Sequence, residues 1–177
     1  MIMQNNSSSI YNANNINKWF AIRSFYCNCY QNYTMKMHSH KRIEIMYVSF
    51  GEMEVEYLDK TIPKKMILRN GEYVFIDAFF PHRITIYNHE TQVFCIEVSF
   101  KTSSEATQDS IPLTLGSFIE HELSFKKFIE SKEPFFKLYD DGTILETFIC
   151  IQKYLQRNED TMCNTYIDLN LGAFFLL

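Results

Sequence analysis

From residue 18 to residue 100 the apolar positions fall into short runs rich in β-branched and aromatic residues. The runs cover 18–26, 42–50, 53–58, 62–68, 72–77, 83–87 and 91–100, with turn signals between them every few residues. Asn70-Gly71 is a hairpin cue, because both turn positions favour positive φ, and Gly51 and Pro63 punctuate the pattern in the same way. Seven or more short strands with no helix between them predict an antiparallel sandwich or closed barrel.

The texture changes on both sides of this region. Residues 1–17, with six Asn and three Ser, show no periodicity and are expected to be flexible unless they fold over something. After a polar connector at 101–109 come helical patterns at 115–129 (broken or bent), at 141–157 and from 165 to the end. In the middle one, Asp140 or Asp141 offers a cap, and Ile144, Leu145, Phe148, Ile149 and Leu155 form one stripe. Thr165 and Asp168 stand at capping-box spacing before the last one. Its ending, Ala173-Phe174-Phe175-Leu176-Leu177, would leave carbonyls unsatisfied and aromatic surface exposed. The expectation is a helix buried against a partner, in a chain cut from a longer one.

Composition narrows the function classes. The 177 residues suffice for one well-buried core, and 46% hydrophobic with 16% aromatic content suits strands. Seventeen Lys plus Arg against 21 Asp plus Glu leave a net charge of -4, which argues against unaided nucleic-acid binding. No apolar run reaches the roughly 18 residues that cross a bilayer, and no signal pattern opens the chain, so no membrane contact and a cytoplasmic address are expected. Cys27, Cys29, Cys95, Cys150 and Cys163 are read as reduced thiols packed as small hydrophobes. Cys27-x-Cys29 is half of a zinc pattern whose second pair is missing.

The candidate chemistry lies in His38-Ser39-His40-Lys41-Arg42-Ile43-Glu44. If this segment is a strand, His38, His40 and Glu44 share a face that continues through Met46, Val48 and Phe50 into the interior. Two imidazoles and a carboxylate on a buried face require partners, since unpaired burial costs several kcal/mol. His82, after Pro81, opens a later strand and supplies a third imidazole.

The pattern His38-x-His40-x3-Glu44-x6-Gly51 resembles the first motif of the cupin family. The second motif is matched by Gly71 and His82, with Asp77 and Phe79 where Pro and Gly are expected and Ile86 where an Asn is expected. More closely, the order of parts resembles the N-terminal domain of AraC-type transcription regulators. The strings Glu44 to Gly51, Gly71 to Ile76, Phe80-Pro81-His82 and Glu97-Val98-Ser99-Phe100 carry that resemblance.

The resemblance implies a mainly β fold with C-terminal helices: a flexible arm at 1–17, a cupin-like antiparallel β-barrel (jelly roll) at 18–109, and a helical dimerisation segment at 110–177. It implies a small-molecule effector in the barrel, a homodimer through the C-terminal helices, and DNA contact only through a domain absent from this chain. His38, His40, Glu44 and His82 would hold a divalent transition metal, Fe, Mn, Ni, Cu or Zn, or else form a polar patch bonded to ligand or water. Arg42 either meets an anionic ligand or snorkels to solvent. Trp19, Arg23, Met46, Val48, Phe94 and Ile96 are candidate pocket walls, with ordinary core packing as the alternative. His89 and His121 read as surface residues. The rival functions are a metal-dependent cupin enzyme, dioxygenase or isomerase in type, and a plain dimerisation module.

Overall fold

The computed structural model describes residues 6–59, 61–102, 113–156 and 161–174; the apolar end at 175–177 and most of the 101–109 connector lie outside the described residues. The strands are β1 (Phe20–Tyr30), β2 (Tyr33–Thr34), β3 (Ile43–Phe50), β4 (Glu52–Asp59), β5 (Ile62–Arg69), β6 (Glu72–Ile76), β7 (His82–Ile86), β8 (Thr91–Phe100) and β9 (Phe135–Tyr139). The helices are α1 (Leu115–His121), α2 (Leu123–Ser131), α3 (Thr143–Gln156) and α4 (Thr161–Ala173).

The strands form two antiparallel sheets, a five-stranded one ordered β1-β8-β3-β6-β9 and a four-stranded one ordered β2-β7-β4-β5. Among the described residues no ladder closes the two facing sheets, so the architecture is the two-sheet sandwich that the strand pattern allows, and the barrel implied by the resemblance is not closed. Asn70-Gly71 therefore does not join a paired hairpin. It carries the chain from the four-stranded sheet to the five-stranded one, with only Gly71 at positive φ, at 80°. Gly51, at φ 86°, makes the same kind of crossing between β3 and β4.

Alternation along the strands divides the core in two. One face of the five-stranded sheet meets the other sheet through Met46, Val48, Val74, Ile76, Val93 and Cys95, all buried. The opposite face, with Ile43, Ile45, Tyr47, Phe94, Ile96 and Val98, is covered by helices. Phe148 of α3 lies at its centre, its ring 5.5 Å from Phe94 and 5.8 Å from Tyr47. Burying such a ring contributes roughly 1.5–3 kcal/mol. The apolar stripe of α3 is thus spent on the sheet, with Ile144, Phe148 and Ile151 buried and Leu155 left at the surface.

Local signals decide the helix ends. The expected break in the first helical stretch is Glu122, whose extended backbone (φ -108°, ψ 103°) separates α1 from α2. Both candidate caps serve α3: Asp140 Oδ1 accepts from Ile144 N at 2.8 Å, and Asp141 Oδ1 accepts from Thr143 N at 3.1 Å. The last helix begins at Thr161, before the anticipated Thr165 cap, and Asp168 inside it accepts from Lys101 Nζ at 2.5 Å. β9 was not anticipated. It lies within the region expected to be helical and adds an edge to the five-stranded sheet beside β6.

Residues 6–17 do fold over something. Turns and a short 3-10 helix at Ala13–Asn15 bury Ser9, Ile10, Asn12 and Asn15. Gly116 N donates to Ile16 O at 2.8 Å, tying the segment to α1.

Candidate metal centre

The cluster is assembled by a chain crossing, not by one long strand. His38 belongs with the four-stranded sheet: its N–H donates to His82 O at 3.0 Å and its carbonyl accepts from His82 N at 2.9 Å. This reciprocal bridge sets the two imidazoles side by side, ring centroids 4.4 Å apart. The chain then passes through His40 to the other sheet, where Glu44 enters β3 and points between the sheets. Parity holds for Glu44, Met46 and Val48. It fails at Phe50, which is 60% exposed because a register shift lies between Val48 and Phe50.

The candidate donor atoms of His38, His40, Glu44 and His82 all lie within 4.8 Å of one another, the one such group among the described residues. Glu44 Oε2 is 3.0 Å from His82 Nε2 and 3.2 Å from His40 Nε2. Each imidazole also has its Nδ1 on a backbone carbonyl: His38 on Lys36 O at 3.2 Å, His40 on Arg42 O at 3.1 Å, and His82 on Phe80 O at 2.8 Å. A carbonyl only accepts, so in a neutral imidazole these contacts favour the proton on Nδ1 and leave the lone pair on Nε2. For His40 the carbonyl contact is shorter than the competing 3.4 Å approach of Arg42 N.

Two lone pairs and a carboxylate oxygen then converge, an arrangement that needs a positive charge among them. Either a proton or a metal cation meets that need. Nε2 coordination with Nδ1 bonded to a carbonyl is the usual arrangement of histidine ligands, so the donor set fits a divalent transition ion.

With no cation present, a proton on Nε2 takes that place and the contact with the carboxylate becomes a hydrogen bond. Burial alone would raise the Glu44 carboxyl, but its hydrogen bonds with His40 and His82 prevail and hold it well below the usual carboxylate range. The hydrogen bond to Glu44 raises His40 despite its partial burial. His38 is lowered by burial and by the neighbouring His82.

Three neighbours escaped the sequence reading. Cys95 Sγ donates to Glu44 Oε1 at 3.0 Å, and Tyr26 O–H lies 3.5 Å from the same oxygen. Glu97 pairs with Arg42, the parity-sharing arginine, at the exposed margin of the cluster. Their signal is register: Tyr26 and Met46 flank Cys95 in a three-strand row, and Glu44 lies opposite Glu97. That signal exists only once the neighbouring strands are known.

The candidate walls divide. Met46 and Val48 lie in the core between the sheets with Glu44. Phe94, Ile96 and Trp19 face the helices on the far side of the five-stranded sheet, where Trp19 stacks on Phe118 at 5.0 Å. Arg23 sits at the register shift of β1, exposed, with its Nε donating to Ser99 Oγ at 2.5 Å. His89 is exposed, and His121 ends α1. Among the described residues, no helix is long and apolar enough to cross a membrane.

No family model matches the chain, and no curated protein does either. Among solved structures it is similar to Drosophila melanogaster CENP-C bound to CAL1, at 22% identity and TM-score 0.39, over 41% of this chain and 60% of that one. It is also similar to a cupin-2 domain containing protein from Shewanella frigidimarina, at 20% identity and TM-score 0.36, over 41% of this chain and 67% of the other. A longer match is to apo ToxT from Vibrio cholerae, at 10% identity and TM-score 0.49, taking in 85% of this chain and 54% of ToxT.

Proposed function

We propose that this chain is a cupin-type sensing domain of the AraC regulator kind, with a metal-assisted ligand site between its sheets. The observation that carries the site is the convergence of three imidazoles and one carboxylate whose Nδ1 atoms are already engaged by backbone carbonyls. His38, His40, Glu44 and His82 would hold the ion, which supplies a Lewis-acid anchor for an oxygen or nitrogen of a small effector. The buried Glu44 neutralises charge there, and the Arg42–Glu97 pair stands at the margin.

The sensor part of the reading is supported by the order of the parts. A polar N-terminal segment bonds to Asp77, on the loop that leads into His82, and helices cover the opposite side of the sheet. Leu155, Tyr166 and Leu169 are exposed on α3 and α4, where a homodimer contact is proposed. DNA contact would belong to a domain beyond this chain.

Elemental analysis of freshly purified protein beside His82→Ala tests the site. About one equivalent of a transition metal in the wild type, lost in the variant, is expected; reproducibly less than about a tenth of an equivalent overturns it. The regulator setting is tested by the gene beyond the codon for Leu177. A basic segment with helix-turn-helix patterns is expected there. A stop codon would overturn that setting and leave a metal-dependent enzyme as the reading to pursue.

A further inference from the structure

We infer that Cys95 is a positioning residue for Glu44: its thiol, backed by Tyr26, occupies one carboxylate oxygen so that the other faces the imidazoles. The inference rests on the metal-centre reading above and adds residues that neither cupin-like motif contains.

Glu44, Cys95 and Tyr26 come from three neighbouring strands, β3, β8 and β1, with Cys95 diagonal to Glu44 and directly opposite Tyr26. Cys95 is fully buried. Its sulfur donates to Oε1 at 3.0 Å, while Oε2 is the atom on His40 and His82. The two oxygens thus have separate partners. Without them the carboxylate would be able to rotate about its terminal torsion, which is broad and roughly two-fold. It could then offer both oxygens to an ion. With a donor fixed on Oε1, single-oxygen ligation through Oε2 is built into the fold before any ion arrives. Tyr26 strengthens this from the edge strand, its hydroxyl 3.5 Å from Oε1. A buried thiol whose only task is packing does not require a carboxylate at hydrogen-bond distance.

The test is Co2+ titration of the wild type, Cys95→Val, Cys95→Ser and Tyr26→Phe, reading both the dissociation constant and the visible d–d absorption of the bound ion. Cys95→Val keeps the volume and removes the donor. It should weaken Co2+ binding about 10-fold or more, as loss of a ligand's supporting hydrogen bond does, and change the absorption as Glu44 ligates through both oxygens. Cys95→Ser should restore most of the wild-type spectrum. Tyr26→Phe, which guards against a Cys95→Val protein that does not fold, should shift affinity the same way by about threefold. A purely structural role would lower the melting temperature and leave the spectrum of the bound ion unchanged. Wild-type affinity and spectrum in a folded Cys95→Val protein, or in Tyr26→Phe where that variant alone folds, overturn the inference while the metal reading stands. A wild type that takes up no Co2+ overturns both.

Discussion

Ser9 donates its hydroxyl to Asp77 Oδ2 at 2.5 Å, a buried bond joining the N-terminal segment to the loop before β7. Ile10 N donates to Oδ1 of the same carboxylate at 3.0 Å, so one side chain holds two groups of the segment. The loop is tied to the candidate centre as well, since Phe79 N donates to His40 O at 2.7 Å and Phe80 O holds His82 Nδ1. Asp77→Ala should release Ser9 and Ile10 together, at a cost of about 1–3 kcal/mol for groups left unpaired. Hydrogen exchange would show lost amide protection at Ile10, with protection in β3 and β8 retained. Unchanged exchange at Ile10 would mean that packing of its buried side chain, not Asp77, holds the segment.

Asp77 also makes stability depend on pH. Burial raises its pKa, and the bonds from Ser9, Ile10 and Ala78 only partly offset that. A carboxyl raised in the folded state holds more protons there than in the unfolded chain. Its stabilising contribution is full below the ordinary Asp value of about 4 and is lost as pH rises through the folded value. Asp77→Asn should therefore destabilise the protein more at about pH 4 than at about pH 7, as read by urea unfolding at both. An equal penalty at the two pH values would show that the carboxyl titrates normally.

The strands were legible because each core face imposes alternation on a short run; β8, at Thr91–Phe100, matches its apolar run end to end. Sheet membership was not legible. Gly71 reads locally as a hairpin residue, and whether β5 and β6 pair or part depends on partners distant in sequence. β9 was hidden for the same reason: Phe135–Tyr139 lies among helical patterns and is a strand because β6 offers it an edge. At the site, His38, His40, Glu44 and His82 were found by spacing and resemblance. The route assumed for them was wrong, since His38 bridges to β7 instead of running continuously into β3. Cys95 and Tyr26 carry no motif and emerge only from cross-strand register.

Gly51 closes the histidine-containing motif, and its role is steric. At φ 86°, an added Cβ would lie 2.6 Å from Glu90 O and 2.6 Å from Thr91 Oγ1. Gly142, at φ 110°, has nothing within 4 Å of that position. Both replacements by Ala suffer backbone strain of about 1–3 kcal/mol, and only Gly51→Ala adds a backbone clash at the start of β8. Gly51→Ala should thus be clearly the more destabilising in chemical denaturation. Equal costs would mean that the 90–91 turn yields without penalty.

A metal ion should stabilise this protein through the four-residue cluster, with a definite pH dependence. An ion that binds only the folded state adds about 2.7 kcal/mol when present at 100 times its dissociation constant. Imidazole ligands must be neutral to bind it, and His40 is raised, chiefly by its hydrogen bond to Glu44, so protons compete increasingly as pH falls through that residue's range. Zn2+ or Mn2+ should raise the melting temperature at about pH 7.5, with the increment shrinking towards about pH 5.5. Glu44→Gln keeps the shape but removes the charge that lies 3.0 Å from His82 and 3.2 Å from His40. It should abolish most of the increment at both pH values. Melting curves with and without metal check this directly. An increment that survives Glu44→Gln, or that grows on acidification, would place any bound ion elsewhere on the chain.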